Sequence, residues 1–309
     1  MTINILQFLL GALFLYYGAE FLIKGSKTVA AKYNISSIVI GITMVALGTS
    51  LPELIVSIMA NLRGVPGMAI GNVIGSNVSN IGLVLGTTAI ISPIYFPFVK
   101  IRYDIYFLIG ITFLPLGFII MGGLVFWQGI VLLLVLIIYC TYLIKSNQLD
   151  VQDNDKTVDE DNIPIIIQVF IGIVGLAIGS TFCVEGAKGI ALVLGVSSLV
   201  IGMSIVALGT SLPELAASLS ATKHGETGMV IGNIIGSNIM NIVLVLGSTI
   251  LFRNIPTMFT DIITQSFFMV ILTLSLFFLL KWKNRVSKFP GVVLVLIYIL
   301  FLYFNYKSI

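Results

Sequence analysis

Charge is scarce in this chain. Only 9% of its 309 residues are Asp, Glu, Lys or Arg, where a soluble domain carries about a quarter. With 58% hydrophobic residues and a mean hydropathy of +1.12, a water-soluble globular domain is excluded and a polytopic membrane protein is implied. The net charge of +3 says little by itself, since placement matters more than the sum, and no nucleic-acid partner is expected. Histidine occurs once, as His224, and cysteine twice, as Cys140 and Cys183, both in apolar surroundings without metal-ligand spacing. Neither a disulfide framework nor a thiol or imidazole metal cluster is indicated, and both cysteines read as packing residues. No nucleophile–base pair stands out, so an enzyme and a bound cofactor are not expected.

What is present is long apolar runs. A helix needs about 20 such residues to cross a bilayer. Ten runs qualify: roughly 3–23, 37–60, 67–91, 103–121, 124–144, 163–183, 198–221, 228–251, 260–280 and 289–306. The fold class is therefore all-α, with the first run read as a spanning helix and not a removed signal. The long polar interval, 145–162, holds Asp150, Asp153, Asp155, Asp159, Glu160 and Asp161. It separates a first five-helix segment, 1–144, from a second, 163–309. Lacking the turn glycine and terminal glutamate of a calcium loop, it reads as a solvated connector.

Basic residues set the orientation. Twelve (Lys24, Lys27, Lys32, Lys100, Arg102, Lys145, Lys156, Lys223, Lys281, Lys283, Arg285 and Lys288) lie in connections after odd-numbered runs, against four (Arg63, Lys188, Arg253 and Lys307) on the other side. The richer side is expected to be cytoplasmic. Both termini are then outside and the acidic linker inside. Aromatic groups such as Tyr95, Phe96 and Phe98 fit interface belts.

The segment VALGTSLPEL occurs twice, at Val45–Leu54 and Val206–Leu215, an offset of 161 residues. The offset holds from Gly11/Gly172 to Gly86/Gly247, and roughly two-thirds of positions match between 39–86 and 200–247. Five spans is an odd number, so the second copy enters the membrane from the opposite side. Inverted-topology repeats follow, which bring equivalent positions toward one another near the midplane. Each copy carries a glutamate, Glu53 and Glu214, inside an apolar run, where a carboxylate is expensive and usually functional.

Pro52 and Pro213 each remove one N–H and clash with the carbonyl four residues back, Gly48 or Gly209. Each motif helix is therefore expected to break, freeing carbonyls at Ala46 and Thr49, or Ala207 and Thr210. Thr49, Ser50, Glu53 and Ser57 are spaced to share a helix face. The next run repeats GNVIGSNVSN (71–80) as GNIIGSNIMN (232–241), with Ser76 and Asn80, and Ser237 and Asn241, four apart. Two carboxylates, hydroxyls, amides and carbonyls form an all-oxygen set, which suits Ca²⁺ or Na⁺. Two glutamates balance one Ca²⁺ or two Na⁺. Ser57, Ser218, Asn72, Asn233, Asn77 and Asn238 equally fit ordinary bonds to backbone or neighbouring helices.

At these residues the chain resembles the cation/calcium antiporter superfamily, most closely its prokaryotic sodium/calcium exchanger branch. The resemblance covers essentially the whole chain, through ten spans, the linker and both GTSLPE and GSNxxN pairs. It implies Ca²⁺ bound by the Glu53 and Glu214 side chains with the Thr49 and Thr210 carbonyls. Flanking Na⁺ sites would use Ala46, Ser50 and Ser76, and Ala207, Ser211 and Ser237, with Asn80 and Asn241 lining the centre. Spans one and six would be the sliding pair of an alternating-access antiporter in a prokaryotic cell membrane, working as a monomer among membrane lipid.

Some relatives, potassium-dependent ones among them, carry aspartate where this chain has Asn241, so no potassium requirement is expected. Calcium/proton exchangers of the superfamily use a glutamate-bearing motif in the third and eighth spans. Glu is absent from both GSNVSN and GSNIMN, which lowers that alternative while leaving protonation of Glu53 and Glu214 open. A passive cation channel is the alternative of a different class, because broken helices occur there too. Glu20 and Glu185 do not match between copies and read as interfacial, and His224 falls outside the apolar runs.

Overall fold

A computed structural model describes residues 1–147, 163–195 and 207–307. The helices are α1 (Thr2–Lys32), α2 (Ser37–Thr49), α3 (Leu51–Leu62), α4 (Pro66–Ile91), α5 (Arg102–Ile120) and α6 (Phe126–Asn147). Beyond the linker come α7 (Ile165–Val193), α8 (Ala207–Thr210), α9 (Leu212–Lys223), α10 (Thr227–Phe252), α11 (Phe259–Lys283) and α12 (Lys288–Lys307). The strands are two-residue pieces, β1 (Ile94–Tyr95) antiparallel to β2 (Arg285–Val286).

Among the described residues, eight helices are long and apolar enough to cross a membrane, nine when the bent pair α2 and α3 counts as one span. The run expected at 198–221 is described only from Ala207, and most of the acidic linker lies outside the described residues. Helix α1 continues past the run expected to end near residue 23, reaching Lys32. Lysine is a good helix former, and its long stem lets the ammonium reach water from a buried backbone position.

Packing groups the chain differently from the sequence halves. One unit comprises Met1–Thr49 and Leu143–Asn233, the other Ser50–Tyr142 and Ile234–Ile309. Each therefore draws on both halves.

In the first unit α1 and α7 pack along a glycine seam. A side-chain carbon on Gly11 would meet Cys183, one on Gly18 would meet Leu176, and one on Gly25 would meet Val169. In return Gly172 faces Leu22, Gly179 faces Leu15 and Gly186 faces Phe8. Adding 161 to the α1 member of each of the first pairs and subtracting 161 from its α7 member gives the second set, so the seam has its own internal two-fold relation. Glycine every seventh residue keeps one face bare, letting the backbones meet.

One end of this unit is tied by charge. Glu20 lies 2.9 Å from His224 Nε2 and 3.4 Å from Lys223 Nζ, while Glu226 takes the Ser37 hydroxyl at 2.7 Å and Lys27 at 3.6 Å. Glu185, by contrast, pairs among the described residues with Lys188 on its own helix, at 3.7 Å.

In the second unit α4 packs on α12, where Gly86 and Gly291 meet, and α10 packs on α6, where Gly247 faces Gly129. Asn61, at the end of α3, donates to the carbonyls of Thr249 and Arg253 at 2.9 and 2.6 Å. Those carbonyls close α10, whose last turn has no intrahelical donors to offer them. Buried Asp104 accepts from the Tyr139 hydroxyl at 2.8 Å, joining α5 to α6.

Candidate functional site

The first GTSLPE copy breaks its span as the proline requires. Ser50, between α2 and α3, leaves helical geometry at φ −87°, ψ 3°. Pro52 sits in the first turn of α3, where no intrahelical N–H is needed. The second copy repeats this, with Ser211 at φ −91°, ψ 3° and Pro213 in the first turn of α9. There the carbonyl that Pro213 strips of its donor, Gly209, receives the Ser180 hydroxyl at 2.7 Å. The equivalent of Ser180 in the first copy is Ala19, which has no hydroxyl to give.

The break also places the acids. Glu53 and Glu214 each fall in the first turn of the half-helix after the break, where the helix dipole favours negative charge. Both are buried, at 0% and 1% exposure.

In the first unit, α9 with Glu214 packs on the last turn of α2, which holds Ala46 and Thr49. The Thr49 hydroxyl lies 3.3 Å from both the Ala46 carbonyl and Asn233 Oδ1. Asn233 in turn donates to the Glu214 carbonyl at 3.2 Å and to Ser218 Oγ at 3.0 Å. Thr210 and Ser211 are buried at the α8–α9 break. Ala207 is the first described residue of α8, and its backbone alone is described.

In the second unit, α3 with Ser50 before it and Glu53 in its first turn packs on α4 and on the turn of α10 that begins at Asn241. Asn72 donates to the Glu53 carbonyl at 3.3 Å and to Ser57 Oγ at 2.9 Å. This is the Asn233 arrangement at the equivalent position. Ser76, Asn80, Ser237 and Asn241 are all buried.

Asn80 and Asn241 each open a π-helical turn, Asn80–Leu85 and Asn241–Leu246. Such turns loosen the i→i−4 ladder and are common at functional sites. Both side-chain amides are buried, with no hydrogen-bond partner among the described residues. Asn77 and Asn238 behave differently. They return their amides to the carbonyls of Val73 and Ile234 at 2.8 and 2.7 Å, an ordinary use within the helix.

Comparison with known proteins bears on this arrangement. The sequence model described as "Sodium/calcium exchanger protein" matches residues 3–145 and 164–307, nearly the full chain. The chain belongs to this exchanger family. Family membership puts it among transporters. A membrane protein of Methanocaldococcus jannaschii, MJ0091, is 38% identical over 300 residues, covering 97% of each chain. The sodium/calcium exchanger MaX1 of Methanosarcina acetivorans is 31% identical over 98% of each. Among solved structures, the sodium-calcium exchanger NCX_Mj soaked with Na⁺ and Ca²⁺ is similar at a TM-score of 0.82 and 38% identity, covering 96% of this chain and 97% of that one.

For an exchanger, the donor set fits hard cations. Among the described residues no three His, Cys, Asp or Glu gather into a metal-binding group. Carboxylate, hydroxyl, amide and carbonyl oxygens are what the motif elements offer. Asn72 and Asn233 make the bonds to backbone and to a neighbouring helix that the sequence allowed them, whereas Ser180 is a positioning residue that sequence spacing did not single out. The two asparagines recur at the 161-residue offset, which was their available signal; Ser180 breaks the offset and had none.

Proposed function

We propose that the protein is a secondary antiporter that exchanges Ca²⁺ for Na⁺ by alternating access and needs no K⁺. The observation that carries this is the burial of Glu53 and Glu214 in two copies of one motif, in a chain of the exchanger family. Two carboxylates offer a charge matched by one Ca²⁺ or two Na⁺, which is a physical basis for exchange. The names of MaX1 and of NCX_Mj point the same way.

In this reading Ca²⁺ is held by the Glu53 and Glu214 carboxylates and the Thr49 and Thr210 carbonyls. Na⁺ uses Ala46, Ser50 and Ser76 from one copy and Ala207, Ser211 and Ser237 from the other. Asn80 and Asn241 line the centre, which their buried amides suit. Ten spanning helices form two inverted repeats, 1–144 and 163–309. Both termini lie outside and 145–162 is cytoplasmic, in a prokaryotic cell membrane. Spans one and six slide to alternate access, a motion the bare glycine seam of α1 and α7 favours. The absence of Glu from both GSNxxN copies speaks against proton coupling.

The test is calcium flux in proteoliposomes. An outward Na⁺ gradient drives radiolabelled calcium uptake, which stops in Glu53→Gln and in Glu214→Gln. Uptake that ignores Na⁺ and follows a pH gradient would assign a proton-coupled exchanger. Flux without stimulation by calcium on the far side would assign a channel. A K⁺ gradient changes nothing.

A further inference from the structure

Two cavities open where α11 turns into α12, and Lys283 borders both. The narrower, about 410 Å³, is a groove between the two helices walled by Phe278, Leu279, Trp282, Phe289, Val293 and Ile297. The broader, about 620 Å³, is bounded by Tyr95, Phe96, Pro97, Asn284 and Arg285. Phe278 and Trp282 are four apart, as are Phe289, Val293 and Ile297, so each helix contributes one continuous apolar strip. From Phe289 to Ile297 the groove runs about 12 Å along α12. Its rim is open, with Trp282 and Phe289 exposed by 72% and 78%.

The mouth is strongly basic. Lys281, Lys283, Arg285 and Lys288 fall within eight residues, and no Asp or Glu follows Asp261 in the chain. None of the four joins an ion pair among the described residues. The β1–β2 pairing sets Arg285 opposite Tyr95 and so fixes one cation at the rim of the broader cavity. By the span count read from the sequence, this turn falls on the side expected to carry most of the chain's basic residues.

We propose that the groove is a binding site for an anionic phospholipid. One acyl chain lies along the apolar strips, and the phosphodiester meets Lys283, Arg285 and Lys288. Basic pockets between spanning helices are suited to acidic headgroups, and the apolar walls select a lipid over a free anion. The chain's own acidic segment is a poorer match. Residues 150–161 offer six carboxylates but only Val151 and Val158 as apolar side chains. The inference stands apart from which ions are exchanged.

Trp282 reports on the site directly. The chain has two tryptophans, so Trp127→Phe leaves Trp282 as the sole indole. That variant is placed in phosphatidylcholine vesicles containing equal mole fractions of either brominated phosphatidylglycerol or brominated phosphatidylcholine. Quenching of Trp282 by the anionic lipid is expected to show a preference of about tenfold in relative binding. The preference falls as salt is raised without any further mutation, and it is lost in Lys283→Gln/Arg285→Gln/Lys288→Gln. Equal quenching by the two lipids at low salt would overturn the proposal. So would a preference that emerges only after the six carboxylates of 150–161 are neutralised, which would assign the basic mouth to that segment.

Discussion

Asn72 and Asn233 each hold one amide nitrogen between a glutamate's backbone carbonyl and the serine hydroxyl four residues farther on. That geometry fixes the first turn of α3 and of α9, and with it the direction of each carboxylate. Removing one such buried bond costs about 1–3 kcal/mol, because acceptors are left without a donor. Asn72→Ala and Asn233→Ala are therefore expected to weaken calcium binding about tenfold, measured by calorimetry in detergent. Asn233→Ala is the more damaging, since Asn233 also lies 3.3 Å from the Thr49 hydroxyl. Ser180→Ala tests the proline argument separately. It leaves the Gly209 carbonyl without its hydroxyl donor and lowers thermal stability by about 1–3 kcal/mol, while Ala19→Ser at the equivalent place brings no such loss. Thr49, Glu53 and Ser76 stand out in the sequence because they recur beside prolines and glycines. The partner of Gly209 does not, because a hydroxyl from a helix 29 residues away leaves no local pattern.

At the scale of elements, the duplicated motif predicts the break, and both copies break at the serine before Leu-Pro. The π turns at Asn80 and Asn241 were not legible. An extra residue in a helical turn changes hydrogen-bond register without changing the apolar composition on which a span is recognised. The glycine seam was half legible: the 7-residue spacing of Gly11, Gly18 and Gly25 shows a bare face, but not which helix lies against it. A side-chain carbon on Gly18 would sit 2.7 Å from the Leu176 backbone nitrogen, whereas one on Gly110 meets nothing within 4 Å. Gly18→Val is expected to cost about 1–3 kcal/mol by overpacking and to slow exchange. Gly110→Ala should be neutral or slightly stabilising. Melting in detergent and flux in vesicles separate the two.

For the whole molecule, the duplication orders the account. Burial of one glutamate per copy, with the asparagine arrangement repeated around each, makes the two halves chemical equivalents although packing regroups them. The positive-charge bias predicts a cytoplasmic linker, so a single cysteine replacing Asp155, with Cys140 and Cys183 removed, is expected to resist membrane-impermeant thiol reagents in intact cells and to react in inverted vesicles. Bound calcium should stabilise the fold by about 2.7 kcal/mol at a hundred times its dissociation constant, a shift in melting that Glu53→Gln/Glu214→Gln abolishes. The most direct measurement is equilibrium calcium binding to the purified protein, titrated with Na⁺. One calcium per chain is expected, displaced by Na⁺ and lost in either Glu53→Gln or Glu214→Gln alone. Two calcium ions per chain, or one surviving in each single variant, would contradict a site that needs both carboxylates.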